Sequence, residues 1–311
     1  MVCIDKMFAD AVLLIDKKPG MTSYDIVRKV KRIIRVRKIG HSGTLDRFAS
    51  GLLVLCTGRA TKLTTHFLDS DKGYTGTVRL GVLTDTDDIE GSVVKRRSTE
   101  GLDRDMIISA ADMFKGEIDQ LPPLYSALKI NGQRASDRVR RGEQVELKKR
   151  RVRVSSIRVH DIDTAGAVFK IDVECSKGTY IRSIARDMGE HLGTGACLEQ
   201  LRRTRSGNFS VKDAVTVEEL EVYCNTGNSE KNFIVRPVDS LRDCTAFVVD
   251  DEACARIKNG GFFPRESVLK HYAGNEKKCI ILDKEENIIA IADIDIDKWH
   301  IKYFNVFADG L

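Results

Sequence analysis

Two stretches of this chain, RVRVSSIRVHD (residues 151 to 161) and AVFKIDVEC (residues 167 to 175), alternate apolar and polar positions and are rich in β-branched side chains. A period of two puts one face of each on a core and the other toward water, which a strand satisfies and a helix does not. GYTGTVRLGV (73 to 82) has the same extended character. The fold therefore needs a substantial sheet.

Helical patterns precede, separate and follow these strands. AVLLI (11 to 15) is a short apolar run ended by Asp16 to Gly20, which reads as a buried strand entering a turn. Behind a Thr22 or Ser23 cap, Ile26, Val27, Val30, Ile33 and Ile34 recur at helical spacing. LLVLC (52 to 56) is a second apolar run, and Gly58 opens a segment that can turn helical through Leu68. Further helices are expected near 104 to 115 and near 179 to 192. In the second, Ile181, Ile184, Ala185 and Met188 bury one face and Gly193 supplies the stop. On that pattern Arg182 is expected to be dispensable for stability. The sequence predicts an α+β chain.

Residues 129 to 150 have no apolar period and carry glycines and basic side chains, as an insertion that leaves the core to grip a ligand would. CNTGNSEK (224 to 231) reads as a loop or linker. From Ala246 a fresh pattern begins, with FVVD, a capped helix over 251 to 258 ended by Gly260, and the runs CIILD and NIIAIADI. Two units are expected: residues 1 to 241, with the insertion, and a small β-rich module over 245 to 311.

Composition excludes several classes. No window approaches the roughly 18 apolar residues needed to span a bilayer, and the first residues lack a signal-peptide pattern, so a cytoplasmic protein is expected. Eight cysteines are scattered without a CxxC pair or a Cys/His cluster at zinc spacing, which reads as free or buried thiols and no metal site. The net charge of +5 is too small to define a partner, but its distribution says more. Seven of the eleven residues from Arg28 to Lys38 are basic, and eight more basic residues fall between Arg138 and Arg153. Two such blocks point to phosphate contacts, although each alone could be a solvated face.

GHSGTLDRFASG (40 to 51) lies between core elements and holds three glycines, His41 and a single carboxylate, Asp46. Glycines let a backbone approach a ligand closely, and a lone Asp there can act as nucleophile or base, or merely cap a turn.

This stretch resembles GHxGxLDPxAxG, the motif that carries the catalytic Asp of TruB-type pseudouridine synthases. LLIDKKPGMTS, DKGYTGTVRLGVLTDTDDIEG, QLPPLYSALKINGQR, CSKGTYIRSIARDMGE and LRRTRSGNF are similar to further motifs of that family, in family order from residue 13 to residue 209. The resemblance implies a mixed, largely antiparallel central sheet flanked by helices and a PUA-like C-terminal module. It implies that Asp46 attacks or deprotonates the ribosyl part of a flipped uridine, that Tyr74 stacks on the base, and that Arg182 pairs with Asp46 and keeps it ionised. Tyr180 and Leu201 would line the pocket, and His41 would hold the RNA once the base has left its stack. The implied substrate is the T-stem loop of tRNA. No cofactor or metal is implied.

The insertion favours the stand-alone bacterial form, a monomer that needs neither guide RNA nor a protein partner. A guide-dependent catalytic subunit for ribosomal RNA and a non-catalytic RNA chaperone are the alternatives. The chain departs from the family pattern in having Arg47 where Pro is usual, Pro19 displaced by one position, and Ser136 and Val139 in place of Tyr and Ala.

Overall fold

The computed structural model describes residues 7 to 311 except Ala127, Asn131, Asn275, Ala308 and Asp309. The first apolar runs become β1 (Val12–Lys17), β2 (Ile39–His41) and β3 (Ser50–Thr57), with α1 (Ser23–Ile34) leading from the first to the second. Thr22 caps α1 reciprocally: its hydroxyl accepts from the Asp25 amide, and the Asp25 carboxylate accepts from the Thr22 amide. Ile26, Val27, Val30 and Ile34 are buried, while the basic residues of the helix stay outside.

The chain continues through α2 (Thr64–Leu68), β4 (Lys72–Leu80), the hairpin strands β5 (Val82–Thr84) and β6 (Val93–Arg96), α3 (Arg104–Asp112) and β7 (Gly116–Gln120). Residues 129 to 150 hold a two-residue hairpin, β8 (Lys129–Ile130) with β9 (Gln133–Arg134), and α4 (Ala135–Arg140), before β10 (Arg150–Asp163). There follow β11 (Val168–Cys175), α5 (Ile181–His191), β12 (Ala196–Ser206), β13 (Phe209–Ser210), α6 (Val217–Thr226) and β14 (Ile234–Val235).

Ten of these strands form one sheet in the order β14-β1-β3-β12-β4-β11-β10-β7, with β2 added to β3 and β13 to β12. Every pairing in it is antiparallel except β3 with β12. At that parallel junction Gly51 pairs with Arg203. Gly51 has φ +99°, and a Cβ on it would lie 2.3 Å from the Arg203 carbonyl oxygen. The glycine expected to admit a ligand instead admits a neighbouring strand.

The stretch 224 to 231, expected to be a loop or linker, is helical through Thr226 and loop from there on. Thr216 and Glu219 form a capping box that launches α6, and the helix runs to Thr226 before Gly227 ends it at φ +75°. The Thr-x-x-Glu signal stood upstream of the polar run, beyond the stretch on which the linker reading rested.

The C-terminal part is a five-stranded sheet in the order β16-β15-β17-β18-β19, built from β15 (Cys244–Val249), β16 (Val268–Tyr272), β17 (Glu276–Leu282), β18 (Ile288–Asp295) and β19 (His300–Val306). One face packs on α7 (Asp251–Lys258), where Ala253 and Ile257 meet Ile281 and Ile289. The other face, with Ala246, Val248, Ile280, Leu282 and Phe307, belongs to the same apolar core as β1, β3 and α5. Lys62 adds a polar tie, donating to the Val306 carbonyl at 2.9 Å and lying 5.0 Å from the Phe307 ring. The two units expected from the sequence thus share a core.

Candidate active site

A pocket of about 350 Å³ opens where β4, β12, the N-terminus of α5 and the loop after β2 converge. That is the low end of the range of small-molecule sites. Asp46, Tyr74, Tyr180, Arg182 and Leu201, five of the six residues singled out in the sequence, line it. His41 does not. It lines an adjoining groove of about 1210 Å³ that shares Asp46 and Arg182 with the pocket.

The loop that carries Asp46 is fixed from the entry turn. The Ser23 hydroxyl accepts from the Leu45 amide at 2.9 Å and donates to its carbonyl at 3.2 Å. The Arg47 carbonyl accepts from the Gly20 amide at 2.8 Å and from the Lys17 ammonium at 3.2 Å. Lys17 also donates to the carbonyls of Met21, at 2.7 Å, and Lys18, at 3.1 Å. It is fully buried, and burial pulls its pKa down to about 8 against the favourable charge of Asp46. Three carbonyls and a buried cation thus tie the residue after Asp46 to the end of β1.

Arg182 stands 3.0 Å from Asp46, Nε to Oδ2. One terminal nitrogen donates to Asp88 Oδ2 at 3.0 Å and to the Thr86 carbonyl at 2.8 Å, and the other donates to the Tyr125 carbonyl at 3.0 Å. The arginine side chain is 4% exposed and that of Asp88 6%. This corrects the expectation of a dispensable helix arginine: Arg182 is a buried cation that joins α5 to the loop after β5 and to the segment before the insertion. Burial raises the Asp46 pKa above the ordinary carboxylate value, outweighing the lowering by Arg182, while Asp88 adds to the rise and Lys17 opposes it.

Tyr74 faces Arg203 across the β4–β12 pairing. Burial raises its phenol pKa, opposed by the Arg203 charge, so the hydroxyl stays protonated through neutral pH. Arg203 is itself 2% exposed and donates to the carbonyls of Leu52, at 2.7 Å, and Gly43, at 3.2 Å. Tyr180 is clamped by Gln120, whose side chain accepts from its amide at 2.8 Å and donates to its carbonyl at 3.0 Å. The Arg150 guanidinium lies 4.4 Å from the Tyr180 ring centroid. Burial and the Arg203 charge lower the His41 pKa, opposed by a hydrogen bond to the Gly43 backbone, and its Nδ1 is buried without a hydrogen-bond partner among the described residues.

The sequence reading missed Asp88, Gln120 and Arg203. Arg203 was within reach, since it follows Leu201 at the period of two that puts both on one face of β12. A buried arginine inside an apolar helix face also demands a carboxylate, and the DTDD run held one.

A carboxylate paired with a buried guanidinium, in a pocket lined by two tyrosines and opening beside a larger groove, suits chemistry on one residue drawn from a longer chain. The family model for the N-terminal domain of TruB family pseudouridylate synthases matches residues 31 to 181. That for the tRNA pseudouridylate synthase B C-terminal domain matches residues 182 to 242. The chain is 39% identical over 286 residues to tRNA pseudouridine synthase B of Clostridioides difficile (strain 630), covering 91% of this chain and 94% of that one. With the protein of the same name from Corynebacterium diphtheriae it shares 46% identity over 222 residues, 70% and 74% of the two chains. Among solved structures it resembles a chain of a Cbf5–Nop10–Gar1 complex, with a TM-score of 0.73 and 26% identity over 99% of this chain and 86% of that one. The chain belongs to the TruB family of pseudouridine synthases.

Proposed function

We propose that the chain is a tRNA pseudouridine synthase that isomerises the T-loop uridine, acting in the cytoplasm as a monomer without guide RNA or protein partner. The observation that carries this reading is the placement of Asp46, ion-paired with buried Arg182 at 3.0 Å on the wall of a pocket that fits one extruded nucleotide. The reaction breaks the N1–C1′ bond and joins C5 to C1′. The proton lost from C5 is matched by one gained at N1, so no atom enters or leaves. Asp46 serves as the nucleophile or base that the cleavage needs, and Arg182 orients it. Tyr74 offers a flat face for the uracil and a neutral hydroxyl near the migrating proton. Tyr180 and Leu201 close the remaining walls. His41, on the groove side, contacts the RNA from which the base has swung out.

Relatives named tRNA pseudouridine synthase B support the tRNA substrate, and the basic insertion supports a direct grip on it. No helix among the described residues is long and apolar enough to cross a membrane. The test is to incubate purified protein alone with an unmodified tRNA transcript and map pseudouridine. T-loop product from the protein alone supports the reading. Product only after other proteins or a guide RNA are added would favour the guide-dependent alternative, to which the shape of the Cbf5 complex chain lends weight. RNA binding without product under either condition would leave only the chaperone.

A further inference from the structure

Arg47 follows Asp46 directly, is exposed, and lines the groove that adjoins the pocket. Its backbone is pinned through its carbonyl to Gly20 and Lys17, and its Nε donates to the Gly20 carbonyl at 3.1 Å. Main chain and side-chain stem are thus both held, while the two terminal nitrogens have no hydrogen bond or ion pair among the described residues. Of the other groove arginines, Arg182 is committed to Asp46 and Asp88, and Arg140, on the insertion, has only a long exposed contact with Asp137 at 3.7 Å. Asp85 and Glu90, on the loop that holds Arg182, also face the groove and repel anions. Among the described residues lining the groove, Arg47 therefore offers, next to Asp46, a pre-oriented fork with both terminal nitrogens free, which suits the paired oxygens of a phosphodiester.

We infer that Arg47 binds a backbone phosphate of the substrate RNA next to the target nucleotide, as a positioning residue that seats the strand while Asp46 acts. This rests on the function proposed above. A single exposed contact of this kind contributes modest affinity and removes one phosphate from the counterion balance.

The experiment compares the parent protein with Arg47→Gln, Arg47→Lys and Arg47→Pro, measuring turnover of unmodified tRNA and its binding across a salt series. Arg47→Gln should raise KM about three- to tenfold with kcat within about twofold, and reduce the slope of log affinity against log salt by about 0.7 to 0.9. Arg47→Lys should keep the slope, because the charge is kept, and recover part of the affinity. Arg47→Pro should behave like Arg47→Gln. An unchanged salt slope in Arg47→Gln, or a loss confined to kcat, overturns the assignment and makes Arg47 a loop-shaping residue. If the parent itself binds tRNA but does not modify it, the proposed function falls with the assignment; if the parent is active and only the slope fails to move, the function stands and the assignment alone is wrong.

Discussion

Arg182 is shared between two carboxylates, 3.0 Å from Asp46 on one side and 3.0 Å from Asp88 on the other. Asp88 also accepts from the Thr86 hydroxyl at 2.7 Å and the Glu90 amide at 3.1 Å, so its two oxygens are divided between Arg182 and its own loop. Substitution on either side of the guanidinium therefore has different consequences.

Arg182→Met should lose both turnover and stability. It leaves Asp88 buried without a cation and removes the donors to Thr86 and Tyr125, and breaking a buried pair from one side costs on the order of 3 to 5 kcal/mol. Denaturant melts alongside turnover assays check this. A Met variant as stable as the parent would show that the pair is not needed for the fold.

Asp46→Asn should abolish pseudouridine formation while tRNA affinity stays within a few-fold, since binding is spread over many phosphates and chemistry rests on one carboxylate. Product from the Asn variant, once deamidation has been excluded by mass spectrometry, would falsify the catalytic role.

Asp46 also sets a pH dependence. With its pKa above the ordinary carboxylate value of 3.8, the ionised fraction, and with it kcat/KM, should fall on acidification with a midpoint above 3.8. The sign for stability is opposite. Between the ordinary and the raised value the folded protein holds a proton that the unfolded chain has released, so stability falls as pH rises through that window. Asp46→Asn should therefore melt no lower than the parent at neutral pH, and any advantage should shrink as the pH is lowered. A variant that melts well below the parent at neutral pH contradicts this.

Gly51→Ala should destabilise the protein by about 2 to 4 kcal/mol, combining a left-handed backbone with a collision against strand β12. The contact is with backbone, which cannot swing aside as a side chain can. Equilibrium unfolding provides the measure, and a change under about 0.5 kcal/mol would mean that β3 and β12 can separate freely.

In the insertion, Arg138 and Arg141 are tied to Glu143, at 2.6 and 2.7 Å, whereas Lys148 and Lys149 are exposed and have no ion pair among the described residues. Replacing both lysines with Gln should lower the salt slope of tRNA binding by about 1.4 to 1.8, and replacing Arg141 should change it much less. Equal effects from all three positions would mean that the Glu143 pairs open on binding.

The sequence revealed the elements whose signals are local. The Thr22 cap, the apolar spacing of α1 and the alternation of β10 and β11 each lie within a dozen or so residues, and each element formed where expected. Asp46, Tyr74, Tyr180, Arg182 and Leu201 were gathered by resemblance, and the pocket holds all five. What stayed hidden depends on distant pairings. Gln120 meets Tyr180 only because β7 sits near the start of α5, and Arg203 reaches Gly43 only because β12 lies between β4 and β3. The upward pull of burial on the Asp46 pKa stayed hidden for a related reason: burial is a property of the whole pocket wall, while its cationic partner is a single residue that a motif can name.

The shared core beneath the C-terminal sheet bears on how that region can be studied. Ala246, Val248, Ile280, Leu282 and Phe307 cover apolar surface of the main body, so a chain cut after Leu241 would expose both sides of that seam to water. Such a truncation would first measure folding and solubility, and a loss of tRNA affinity in it could not be assigned to lost contacts with RNA. Charge reversals on the outward strands β16 and β19, which leave the seam closed, are the cleaner way to separate what this region holds together from what it touches.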